Sequence, residues 1–292
     1  MTDLATLRAE AEDLALALAD VSLKAQASEA PHIGSAGRRR AGTGEHFWQY
    51  RRYATEDSAD RIDWRRSARG SDLYVRETEL ETARTVLFWC DPHPGFEWSS
   101  DLARLKSKAN EARLLMLAIG TLLSRDGERI GALGSGRSPS FGATAVDRLA
   151  EDLTTDQPTS TPLPPNAASM VVLASDFYDP IEEWLGRLSP IASRCKEGVV
   201  LAVHDPVEAN FPYEGRVKLS RPGEASTKLL GRAESIRAAY LQKFGAQREA
   251  LRSLAARFGW RMVEHETGAL PLKAATSLKQ ALESYTMAST SF

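Results

Sequence analysis

The stretch "TVLFWCD", residues 85–91, decides how this chain is read. An apolar run rich in β-branched and aromatic residues stops abruptly at an acid, Asp91. A strand wet on one face alternates apolar and polar side chains; a run without that alternation suits a strand covered on both faces of a parallel sheet. The same signature returns in "SMVVLASD", residues 169–176, which stops at Asp176, and in "GVVLAVHD", residues 198–205, which stops at Asp205. "RIGALG", residues 129–134, reads as another strand, "WRMVEHE", residues 260–266, as the last, and "GRVKLS", residues 215–220, as a short one at an edge. Helical patterns fall between them, over about residues 102–124, 143–153, 180–192, 233–258 and 271–285. Strands alternating with helices predict a doubly wound α/β sheet, mostly parallel, with helices on both faces. The Pro/Thr-rich stretch at 154–169 reads as a surface connection.

Upstream the character differs. Residues 3–27 predict an amphipathic helix, with Leu4, Leu7, Leu14, Leu18 and Val21 at helical spacing. "PHIGSAGRRRAGTGEHF", residues 31–47, reads as loop, and "DLYVRET", residues 72–78, as one strand in a segment dense in Arg, acids and aromatics. The expected division is a leading helix at 1–28, an Arg-rich extension at 29–83 and a sheet domain at 84–292. No internal repeat is visible.

Composition narrows the functional classes. In 292 residues, 42% hydrophobic and 26% charged is ordinary for a globular chain, and a net charge of -2 lacks the basic excess of a dedicated nucleic-acid binder. Two cysteines, Cys90 and Cys195, are too few for a disulfide framework and read as reduced. No run approaches the roughly 20 apolar residues of a membrane span, and the N-terminus lacks a signal-peptide pattern, so a cytoplasmic location is expected.

Three strand-end acids, Asp91, Asp176 and Asp205, allow two readings. At the carboxyl ends of parallel strands they would converge on one crevice and offer oxygens to a hard cation such as Mg²⁺. Alternatively, each caps the following helix or closes a turn, where short acids are favoured. Cys90 beside His93 is a weak nucleophile candidate, because a cysteine inside an apolar strand behaves as a small hydrophobe. "GSGRS", residues 134–138, lacks the Lys-Ser/Thr ending of a phosphate loop.

The stretch "DRIDWRRSARG", residues 60–70, gathers Arg61, Arg65, Arg66 and Arg69 around Trp64. Such crowded guanidiniums need counter-charge. Nucleic acid is one possibility, since Arg38–Arg40, Arg51 and Arg52 add to the block and Trp48, Tyr50 and Tyr53 offer stacking surfaces. Interleaved acids, among them Glu45, Asp60, Asp63 and Asp72, weaken the potential that phosphate binding relies on. An internal network is favoured instead, with Glu45 and Asp63 pairing with arginines and Trp64 buried. A protein-docking face is compatible with it, because Arg, Trp and Tyr are enriched at binding hot spots.

Residues 42–81, from "GTGEHFWQYRRY" through "RIDWRRSAR" to "DLYVRETELE", resemble the bacterial family called domain of unknown function fifty-eight. The order of elements from Asp91 to "LASDFYD" looks like a von Willebrand factor type A domain. The resemblance implies a non-enzymatic adaptor that works with a MoxR-type AAA+ ATPase and its client proteins. The residue chemistry of the Arg-rich block points to a partner-binding or structural network of Glu45, Arg52, Tyr53, Arg61, Asp63, Trp64, Arg65, Arg69 and Arg76. The resemblance also implies a metal-ion-dependent adhesion site, for which the candidates are Asp91, Ser135 and Asp176. At that motif the chain reads "DPHPG", residues 91–95, with His93 and Gly95 where serines belong, so a degenerate site without a cofactor is expected and Mg²⁺ is disfavoured. The readings from other classes are a metal-dependent phosphoester hydrolase using Asp91, Asp176 and the arginines, and a nucleic-acid binder using the Arg-rich block.

Overall fold

A computed structural model describes residues 3–28, 41–54, 62–68, 72–79, 83–101, 103–155, 161–164, 169–195, 197–220 and 227–288. Along the chain run α1 (Leu4–Ser28), β1 (Ala41–Arg52), α2 (Trp64–Ser67) and β2 (Tyr74–Glu79). Then come β3 (Thr85–Cys90), α3 (Lys108–Arg125), β4 (Arg129–Ala132), α4 (Ala143–Thr154), β5 (Ser169–Ser175) and α5 (Ile181–Ala192). The last group is β6 (Gly198–His204), α6 (Pro206–Asn210), β7 (Val217–Ser220), β8 (Thr227–Leu230), α7 (Arg237–Arg257), β9 (Arg261–Glu266) and α8 (Pro271–Ala288). The described residues divide into two compact units, one drawn from residues 1–32 and 84–282, the other from 33–83 and 283–292.

In the larger unit, five strands pair in the order β4-β3-β5-β6-β9, every pair parallel. Alternate residues serve opposite faces, as strand geometry requires. Leu87, Trp89, Val171, Leu173, Val200 and Ala202 pack on one face with Trp184, Leu188 and Ile191 of α5 and Leu251, Leu254 and Ala255 of α7. On the other face α3 and α4 approach closely at Gly120, where a Cβ would stand 2.7 Å from Leu149 Cδ2 and 3.7 Å from Phe88. Helix α1 packs on α3 and buries Leu7, Ala11, Ala15 and Leu18. The mixed α/β sheet, mostly parallel and flanked by helices, is the architecture that the apolar runs predict.

Three expectations need correction. "GRVKLS" does not edge the central sheet: β7 pairs with β8 in a separate antiparallel hairpin. Its alternating half-buried and exposed residues, with Lys218 outward, suit a hairpin wet on one side. The helix expected from residue 102 starts at Lys108, because the Ser107 side chain accepts the Asn110 N–H at 3.2 Å and caps it there. Part of the supposed loop at 31–47 is strand: β1 begins at Ala41 and pairs antiparallel with β2, with register shifts between Gly42 and Phe47 and between Phe47 and Gln49. Such bulges let a glycine-rich segment continue a strand whose periodicity is broken.

At the base of the sheet Gly198 lies against Trp260. A Cβ there would stand 2.7 Å from two carbons of the indole, which is fixed by its Nε1–H bond to the Cys195 carbonyl at 3.1 Å. Gly198→Ala is therefore expected to overpack the core and lower stability by about 1–3 kcal/mol in urea denaturation.

Candidate functional site

The carboxyl ends of β3, β5 and β6 bring Asp91, Asp176 and Asp205 to the same end of the sheet. The three do different things. Asp205 is fully buried and caps α6: its Oδ1 accepts the Val207 N–H and its Oδ2 the Ser100 N–H, both at 2.9 Å. Glu208 completes a capping box by accepting the Asp205 N–H at 2.9 Å. For Asp205 the capping reading holds. Asp91 is buried and spends both oxygens locally, Oδ1 on the His93 N–H at 2.9 Å and Oδ2 on the Ser175 hydroxyl at 2.6 Å. Burial pushes its carboxyl above the ordinary range, opposed by these two hydrogen bonds. Asp176 accepts the Tyr178 N–H at 3.3 Å and faces a cation.

That cation is Lys108, the first residue of α3, and it is only 1% exposed. Its Nζ donates to Asp176 Oδ2 at 2.9 Å and to Glu208 Oε1 at 2.7 Å. Two aromatic faces complete the surroundings, with Tyr178 4.9 Å and Trp98 5.7 Å from Nζ to ring centroid. The Tyr178 hydroxyl donates to the other oxygen of Glu208 at 2.9 Å, and burial with the adjoining carboxylates raises its pKa. Glu208 is raised by burial, with Lys108 pulling the other way. The loop from Asp91 to α3 is laid over this group by bonds from the Lys108 N–H to the Trp98 carbonyl at 3.3 Å and from the Ala109 N–H to the Phe96 carbonyl at 2.9 Å.

One turn along α3, Glu111 is buried against His265 of β9, oxygen to Nε2 at 3.3 Å. At the end of β6, His204 has Nδ1 3.2 Å from Arg248 Nη2 and Nε2 3.5 Å from Glu266, and Arg248 donates from Nε to Glu264 at 3.0 Å. Burial and the Arg248 guanidinium push His204 down to about 4. Burial pushes the Cys90 thiol up to about 12, which leaves it an inert core group.

The other adhesion-motif positions do not join a ligand set. Ser135 donates its hydroxyl to the Ala132 carbonyl at 3.1 Å and accepts the Arg137 N–H at 3.3 Å, closing its own turn. Gly95 donates its N–H to His93 Nδ1 at 3.0 Å, and a Cβ at Gly95 would stand 2.9 Å from that nitrogen. A serine at position 95 would therefore require the exposed His93 imidazole to swing aside. No group of three or more His, Cys, Asp or Glu among the described residues is arranged to hold a metal ion.

In the smaller unit, Ile62 bridges to Val75, both buried, and the single turn α2 follows. Trp64 is not buried as expected but 63% exposed, since the inward places are taken by Ile62 and Ser67. The Ser67 hydroxyl donates to the Asp63 carbonyl and accepts the Tyr74 N–H, both at 2.8 Å. Asp63 caps α2, accepting the Arg66 backbone N–H at 2.9 Å. The Arg66 guanidinium lies 5.6 Å from the Tyr74 ring centroid, Arg52 pairs with Asp72 at 3.1 Å, and Arg65 is exposed. Tyr53 is half-buried and its N–H donates to the Leu73 carbonyl at 2.8 Å. Glu45 and Arg76 lie on β1 and β2, their side chains outside the described residues, as are Arg61 and Arg69 altogether.

Two outcomes are expected from this geometry. Between pH 6.5 and about 4 the unfolded chain takes up a proton that folded His204 refuses, so its contribution to stability is lost as pH falls through that window. His204→Gln should flatten the acid limb of a stability-versus-pH curve by on the order of 3 kcal/mol. Asp63→Ala should cost about 1 kcal/mol in a thermal melt.

No curated protein and no solved structure matches the chain significantly. The family described as "Protein of unknown function DUF58" matches residues 49–250, from the Arg-rich segment to the second half of α7. Spanning more than half of its length, that match shows that the chain belongs to this family.

Proposed function

We propose that the chain is a non-enzymatic protein-interaction module, a cytoplasmic adaptor that works with a MoxR-type AAA+ ATPase and its client proteins. In this reading the parallel sheet is of the von Willebrand factor A type with a degenerate adhesion site. The observation that carries it is Trp64. A tryptophan 63% exposed, on a turn capped by Asp63 and flanked by exposed Arg65 and Arg66, is the residue set that concentrates binding energy at protein interfaces. A ring this exposed gains little from folding, and Ile62 and Ser67 are the buried residues beside it.

The strand-end aspartates give the hydrolase reading no support, since Asp91 and Asp176 direct their oxygens at Ser175, His93, Tyr178 and Lys108. In the smaller unit the pairing of Arg52 with Asp72 lowers the positive potential that nucleic acid would need. No helix among the described residues is long and apolar enough to cross a membrane.

Titration of the full chain against a purified MoxR-type ATPase with ATP tests the proposal. Trp64→Ser combined with Arg65→Glu is expected to weaken binding at least tenfold, of the order lost at hot-spot positions, while moving the melting temperature little. Equal affinity of the variant and the wild type would reject the surface. Turnover of a model phosphodiester with Mn²⁺ that Asp176→Asn abolishes would replace the adaptor with the hydrolase. Retention on heparin that falls steeply with salt would replace it with the nucleic-acid binder.

A further inference from the structure

The fold resemblance calls for a divalent cation at the carboxyl ends of these strands, and the residues present do not fit one. A Mg²⁺ ion takes near-octahedral oxygen ligands at about 2.0–2.1 Å. Asp91 holds Ser175 and His93, Asp176 holds Tyr178 and Lys108, Ser135 closes its own turn, and position 95 is a glycine with no side-chain oxygen to offer. Within this group the carboxylates that would neutralise an ion already converge on Lys108 Nζ, at 2.9 and 2.7 Å.

We propose that the Lys108 ammonium is a covalently tethered substitute for the divalent cation of such a crevice, liganded by Asp176 and Glu208 and faced by Trp98 and Tyr178. The substitution is chemically coherent. One ammonium offers three donors, and two are accounted for by carboxylate oxygens on two different elements. The aromatic faces suit a compact cation withdrawn from bulk water, as a side chain 1% exposed is. As an ion would, the amine joins segments distant in sequence: the first turn of α3, the end of β5 and α6. Glu208 has no counterpart among the adhesion-motif positions; it supplies from this chain a carboxylate contact to the cation. The crevice is thus closed and metal-independent, whether or not the chain docks on an ATPase.

The full-length protein decides the matter in two ways. Mn²⁺ titration of the wild type, followed by water-proton relaxation, is expected to show no saturable binding at the crevice, and EDTA or millimolar Mg²⁺ to leave the melting temperature unchanged. Saturable Mn²⁺ binding that Asp176→Asn abolishes would overturn the proposal. Lys108→Met should lower the melting temperature by about 10 °C, because two half-buried carboxylates, 13% and 16% exposed, lose their counter-charge. Lys108→Ala should recover a substantial part of that loss in ethylammonium chloride, and not in an equal concentration of choline chloride. A Lys108→Met protein as stable as the wild type, or equal recovery in both salts, would also overturn it. If neither variant folds, the Mn²⁺ titration of the wild type stands as the deciding measurement.

Discussion

One buried ammonium group sets the arrangement of the carboxyl end of this sheet. Without Lys108 Nζ, Asp176 and Glu208 would face each other from within 3 Å of a common point with nothing between them. Both side chains are largely withdrawn from solvent, at 13% and 16% exposure, so their mutual repulsion would be screened less than in water. With it, the repulsion becomes a three-way attachment. The attachment matters most for α6, a five-residue helix that buries none of its own side chains. Its position rests on the Asp205 cap, on Glu208, and on the buried Phe211 ring that ends it, 4.5 Å from Tyr240. Glu111, one turn beyond Lys108, extends the same logic to β9 through His265, so two buried charged residues of α3 reach the ends of β5 and β9 and the short helix α6.

The sheet was legible because burial on both faces leaves a plain trace. Val86–Cys90, Met170–Ala174 and Val199–Val203 have no solvent face to satisfy, so polar side chains are absent from them. The jobs of the strand-end acids were not legible. Asp91, Asp176 and Asp205 follow similar runs, yet one is a buried acceptor, one a counter-ion and one a helix cap. Which role each takes depends on residues from other elements, Ser175, Lys108 and Val207 among them. Lys108 is not legible as a buried cation because a lysine at a helix start reads as solvated. A signal was nonetheless present: Lys108, Ala112, Leu115 and Ile119 fall at helical spacing on the buried stripe of α3. A charge in line with such a stripe must find a partner inside. Trp64 shows the opposite error, an aromatic assigned to the interior whose one-turn helix had no interior place left for it.

Backbone strain is concentrated around the same crevice. Phe177 and Phe211 are the non-glycine residues with positive φ among those described, at 55° and 44°. Phe177 follows Asp176 directly, and Phe211 ends the helix that carries Glu208. Left-handed conformations disfavour side chains of this size, and they persist only where the surroundings over-determine them. Phe177 is held by its ring, 4.5 Å from Trp184 centroid to centroid, and by Gln247, which donates to the carbonyls of Phe177 and Asp179 at 2.9 and 2.7 Å. Helix α7 thus fixes the turn that aims Asp176 at Lys108.

The two margins of the central sheet carry a consequence of their own. A parallel sheet this apolar would template growth if either border strand were long and neutral. On one side β4 is only four residues, begins with Arg129, and has Ile130 bridged to Ser140, with Pro139 against Gly131. On the other, β9 interrupts its apolar residues with Arg261, Glu264 and Glu266. A second chain adding to either border would have to dehydrate charge or displace a proline-bearing segment, and ordered polymerisation through the core strands is disfavoured from both directions.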